Sequence, residues 1–137
     1  MKGTLVLVSP GKGNLKLFES GPPGQPQIPA AVYQLFIADG IPISRFITSL
    51  ILRAEGKDNI SVLPIGDPFP WRVVNNIWTT SKPEQTIVVI ASNNELFRIA
   101  AEIAPRPCRR MLESYHPATG DIFISIRGDG GFTIIAS

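Results

Sequence analysis

The clearest signal along the chain is the unbroken run Thr86-Ile-Val-Val-Ile-Ala91. β-Branched, apolar side chains at successive positions, without alternation, predict a strand covered on both faces, as at the centre of a parallel sheet. Ala31 to Ala38, with Val32, Tyr33, Leu35, Phe36 and Ile37, reads the same way, and Ile60 to Ile65 adds another strand. Between these runs the period changes. Ile43, Phe46, Ile47 and Leu50 recur at i, i+3, i+4 and i+7 behind Pro42, which predicts a helix stopping near Gly56. Val74, Ile77 and Trp78 predict a second helix over Trp71 to Trp78. Leu96, Ile99, Ala100 and Ile103 form the stripe of a third, opened by Ser92 or Asn93 as N-cap and Glu95 in its first turn. Pro105 and Pro107 are expected to end it, with a short helix following over Cys108 to Tyr115.

The two ends of the chain carry hairpin patterns. Leu5 to Ser9 and Asn14 to Glu19 are β-rich and flank Pro10-Gly11-Lys12-Gly13. Asp121 to Arg127 and Phe132 to Ala136 flank Gly128-Asp129-Gly130-Gly131, where Asp-Gly is a strong short-range turn signal. Residues 20–30 form a proline-rich loop that cannot be helical or a central strand. The order is therefore β-β-β-α-β-α-β-α-β-β. It predicts a single three-layer α/β domain spanning residues 1–137. Its sheet is mixed, with a parallel centre and a hairpin at each end.

Composition narrows the class. The chain has 137 residues, 13 Lys and Arg against 11 Asp and Glu, and 18% charged residues. That charge share lies below the typical level of about 25%. Whole-chain disorder is excluded, and some apolar surface is expected to be covered by a partner. A net charge of +2 is too small to name nucleic acid as a partner on its own. The single cysteine, Cys108, permits no intrachain disulfide, and no apolar run reaches membrane-spanning length. A cytoplasmic protein without membrane contact is the resulting expectation.

Candidate chemistry gathers where strands end, because ligands of open α/β sheets bind beyond the carboxyl ends of the strands. Asp39, Asp67, and Ser92 with Asn93 follow three of the expected strands. If Asp39 and Asp67 converge, they could act as a catalytic pair and hold Mg²⁺ for phosphoester chemistry. Ser92 and Asn93 are candidate ligand-binding residues, as are Arg106, Arg109 and Arg110. The last three belong to an arginine-rich stretch with Arg98 and Arg127, near Tyr115 and His116, suited to RNA or another anion. Gly11-Lys12-Gly13 is no phosphate loop, because Asn14 and a strand follow it. Phe69 and Trp71, bracketed by Pro68 and Pro70, are the expected interface residues.

No complete catalytic constellation stands out. The leading expectation is thus a non-enzymatic interaction or assembly module, working as a homo-oligomer or on a protein partner and needing no cofactor. The alternatives are a metal-dependent phosphoester or nucleotide-processing enzyme using Asp39 and Asp67 with Mg²⁺, and an RNA or anion binder using the arginine cluster.

Overall fold

The computed structural model describes residues 2–9, 33–41, 60–66, 69–115 and 120–136. Six strands are found there: β1 (Thr4–Val8), β2 (Tyr33–Ala38), β3 (Ile60–Ile65), β4 (Thr86–Ile90), β5 (Ile122–Ile126) and β6 (Phe132–Ala136). Three helices accompany them: α1 (Trp71–Thr79), α2 (Asn93–Ile103) and α3 (Arg106–Leu112). The strands form one mixed sheet in the order β3-β2-β4-β1-β5-β6. β1 to β4 run parallel, β5 is antiparallel to β1, and β6 is antiparallel to β5. The α/β class with a parallel centre is therefore as expected.

β4 occupies the centre its composition demands, hydrogen-bonded to β2 on one side and β1 on the other, with every residue buried. β1 departs from expectation. It lies inside the sheet, its two edges taken by β4 and β5, so it has no free edge for a hairpin with residues 14–19. Its composition explains this, since Leu5, Val6, Leu7 and Val8 are each at most 1% exposed and need cover on both faces. The strand expected over 14–19, the helix expected behind Pro42 and the proline-rich loop lie outside the described residues.

The C-terminal hairpin forms as its turn chemistry requires. Gly130 adopts φ +94°, and the Gly130 N–H donates to Arg127 O at 3.0 Å. The Asp129 carboxylate accepts the Gly131 N–H at 2.9 Å and lies 3.3 Å from Arg127 Nε. The Gly131 hydrogen bond, with the Arg127 charge beside it, holds the Asp129 carboxyl below its usual range.

α1 connects β3 to β4, and α2 with α3 connects β4 to β5. Their buried residues, including Val74, Trp78, Leu96, Ile99, Cys108 and Leu112, join Leu5, Leu7, Ile87, Val89 and Ile124 in one cluster on one face of the sheet. The alternate residues Val6, Val8, Val88, Ile90 and Phe123 are at most 3% exposed, so the other face is covered too. α3 starts earlier than its apolar pattern suggested. Pro107 stands in its first turn, where a missing N–H costs nothing, and so opens α3 rather than terminating α2.

Two contacts fasten the N-terminus to α1. Trp78 Nε1 donates to Gly3 O at 2.8 Å, and Lys2 Nζ sits 3.8 Å from the centre of the Trp78 ring. Gly3 lies so close to the turn before β4 that a Cβ there would come within 2.6 Å of Lys82 O.

Phe69 and Trp71 are not the exposed contact pair that their proline-rich setting suggested. Phe69 is 2% exposed and meets Phe36 edge-to-face with ring centroids 6.5 Å apart, while half-buried Trp71 packs against the same core. Burial of a large ring outweighs the loop propensity of the flanking prolines. The Phe69 N–H is satisfied at 3.2 Å by Glu95 Oε2, from the first turn of α2.

Candidate functional site

The strand order defines where a site belongs. β1 passes the chain on to β2, past β4, while β4 passes it on to β5, past β1. Connections that leave neighbouring parallel strands in opposite directions create a crevice beyond their carboxyl ends. Because β5 is antiparallel, its beginning lies at this same rim: Val8 is paired with Phe123, and Ser9 N donates to Ile122 O at 3.0 Å. The rim between β4 and β5 thus collects Ser9, Ser92, Asn93, Gly120 and Asp121.

Each group has a defined local task. Ser9 is 3% exposed, and its Oγ accepts the Ile122 N–H at 2.9 Å while lying 3.4 Å from Ile122 O. Its hydroxyl thereby takes the ladder position that a carbonyl would otherwise fill where β1 ends. Ser92 is exposed and caps α2, its Oγ accepting from Glu95 N at 3.4 Å. Asn93 Nδ2 donates to Gly120 O at 2.8 Å, tying the start of α2 to the segment entering β5. Asp121, which enters β5, is 5% exposed, a buried carboxylate directly on the rim. The first-turn N–H groups of α2 add the positive end of an 11-residue helix.

Asp39 lies farther along the rim, exposed, at the end of β2. Its N–H donates to Ile65 O at 3.0 Å, and its Oδ2 lies 3.6 Å from the position a Cβ would take on Gly66. Asp67, its expected partner, lies outside the described residues. Among the described residues no group of three or more His, Cys, Asp or Glu side chains is placed to hold a metal ion.

The arginines form a second locus. Arg98, Arg106, Arg109 and Arg110 line one groove of about 640 Å³ between α2 and α3, and Glu113 joins them. Arg98 is held 3.6 Å from Glu95. Arg127 lies instead at the β5–β6 turn with Asp129. The expected ligand-binding set therefore divides, with Ser92 and Asn93 on the rim and Arg106, Arg109 and Arg110 in the groove.

Sequence reasoning passed over Ser9 and Asp121. No periodicity marks either one. Only the antiparallel insertion of β5 beside β1, a pairing across more than a hundred residues, carries Asp121 to the carboxyl ends of β1 and β4.

No protein-family model matches the chain, and no curated protein sequence does. Solved structures do match. One, from Agrobacterium tumefaciens and assigned as the phosphohistidine phosphatase SixA, is 13% identical with a TM-score of 0.52, over 100% of this chain and 99% of that one. Another, a phosphoglycerate mutase from Plasmodium falciparum, is 13% identical with a TM-score of 0.42, over 98% of this chain and 91% of that one. The likeness is one of fold. It overturns the expectation of a non-enzymatic assembly module, because the end-to-end match is to a protein assigned as a phosphatase. The low charge fraction that suggested a covered partner surface has another outlet, a sheet buried on both faces.

Proposed function

We propose that the chain is a phosphatase-like enzyme acting on phosphoryl groups at the rim where β1 and β4 end. The observation that carries this reading is the coincidence of that crevice with the N-terminus of α2 and a buried carboxylate, Asp121, in a fold shared end to end with an assigned phosphohistidine phosphatase. A fold by itself hosts many chemistries, so the weight rests on the rim residues. In this reading the first-turn N–H groups of α2 receive the phosphoryl oxygens, which a helix N-terminus is built to do. The Ser92 hydroxyl supplies a further hydrogen bond, and Asn93, held against Gly120, fixes the helix start relative to β5. Asp121 handles the proton that hydrolysis of a phosphoryl bond requires.

The test is hydrolysis of p-nitrophenyl phosphate and of a phosphohistidine-containing peptide. Turnover of at least one is expected, with Asp121→Asn lowering kcat by about 10²–10⁴-fold, the range for a lost acid or base. Absence of turnover on both, with vanadate leaving the amide resonances of residues 92–95 unmoved, would refute it.

A second reading keeps Asp39 and Asp67 as a Mg²⁺-binding carboxylate pair. It is favoured by the parallel pairing of β2 with β3, which sets Asp39 beside the end of β3, its N–H donating to Ile65 O at 3.0 Å. Turnover that requires Mg²⁺ and disappears in Asp39→Asn would support it, and full turnover in EDTA would remove it.

A further inference from the structure

α3 places Arg106, Arg109 and Arg110 at spacings i, i+3 and i+4, so all three stand on one side of a short helix. Like charges at this spacing repel, and a solvated helix would normally relieve them with interleaved carboxylates. Here none of the three makes an ion pair with any described residue, although Glu113 lines the same groove. They are exposed and line a concavity. Across it stands Arg98, with half-buried Phe97 and buried Leu112 forming apolar lining. The joint between the walls is short: Ala104 N closes α2 on Ala100 O at 2.9 Å, Arg109 N opens α3 on Pro105 O at 3.0 Å, and only Ala104 and Pro105 separate the two helices.

From this geometry we infer that the α2–α3 groove binds a compact ligand carrying a chain of two or three phosphates. Guanidinium forks match phosphate oxygens bidentately, and several converging forks suit several linked phosphates better than one. The volume of about 640 Å³ is that of a small-ligand pocket. Single-stranded RNA fits less well. It needs a long basic track with several stacking aromatics, whereas α3 is only about 10 Å long at the usual helical rise and Phe97 is the one aromatic lining the groove among the described residues. The groove reaches Asn94 in the first turn of α2 and so borders the rim, but none of its arginines is a rim residue.

The experiment is isothermal titration of the full chain with inorganic tripolyphosphate, ATP, inorganic phosphate and a 12-nucleotide single-stranded RNA. Tripolyphosphate is expected to bind one to one and at least tenfold tighter than phosphate. Arg109→Gln and Arg110→Gln are each expected to weaken it about tenfold, and Glu113→Gln to tighten it. Circular dichroism checks that these exposed positions leave the fold intact. Equal affinity for ATP and tripolyphosphate assigns recognition to the phosphates alone, and tighter ATP assigns a base contact to Phe97; both support the inference. Ser92→Ala and Asp121→Asn are expected to leave tripolyphosphate binding unchanged, so loss of rim activity cannot masquerade as loss of the groove. No tripolyphosphate binding at millimolar concentration, binding insensitive to the arginine variants, or preference for RNA would each overturn it.

Discussion

Ser9→Ala separates structure from chemistry at the rim. In the native protein the Ser9 Oγ accepts the Ile122 N–H at 2.9 Å at a position only 3% exposed. Alanine leaves that N–H buried without its acceptor, and water has little access to replace it. An orphaned buried donor costs about 1–3 kcal/mol. The backbone bond from Ser9 N to Ile122 O survives, so the loss is confined to one end of the β1–β5 ladder. With a urea m-value of about 1–3 kcal/mol/M, the unfolding midpoint is expected to fall by roughly 0.3–3 M at unchanged slope. Amide exchange at Ile122 is expected to accelerate, while the β4 amides keep their protection. Turnover on p-nitrophenyl phosphate is expected to fall less than about tenfold below the midpoint, because the hydroxyl is committed to the strand. An unchanged midpoint and a protected Ile122 amide, together with a large loss of turnover, would refute this. Ser9 would then act on substrate.

Other perturbations probe the frame around the site. Trp78→Phe removes the donor to Gly3 O and is expected to cost about 1–3 kcal/mol in a urea melt, with Trp71 left to report by fluorescence. Phe69→Ala is expected to cost about 3–5 kcal/mol by thermal or urea unfolding; a loss under 1 kcal/mol would mean that Phe69 is not a core residue. Burial pushes the Cys108 thiol up to about 11 from 9.0, so the folded protein keeps a proton that the unfolded chain gives up. Its contribution to stability is therefore intact below pH 9 and lost progressively between pH 9 and 11, by about 2–3 kcal/mol at the limit, which unfolding curves at pH 8 and 10.5 would reveal against a Cys108→Ala control. The same buried thiol is expected to react with a disulfide reagent at pH 8 only as fast as the protein opens.

Local signals carried far into the fold. The β-branched run of β4 demanded two covered faces and found them. The serine before α2 capped it, and Asp129-Gly130 turned the last hairpin with a positive φ at the glycine. The departures occur where a long-range partner outweighed a local preference. Phe69 reads as an exposed loop residue by its proline neighbours, yet its ring found Phe36 and its N–H found Glu95. Pro107 reads as a stop by itself, but a proline is equally a start, and only the course of the chain after Ile103 decides between the two.

The site was less legible than the fold because a rim is a property of strand order. A wrong neighbour for β1 leaves Ser92 and Asn93 in place, since they follow their own strand, but it removes Asp121 from view entirely. In sequence Asp121 is an acid before a β-rich run, indistinguishable from a turn residue. The β1–β5 pairing makes it a 5% exposed carboxylate level with the end of β1. The arginines were legible for the opposite reason. Arg106, Arg109 and Arg110 share one helix, so the 3.6-residue period alone brings them together. What periodicity could not supply is the facing wall, Arg98 and Phe97 on α2, which turns a charged helix face into a groove.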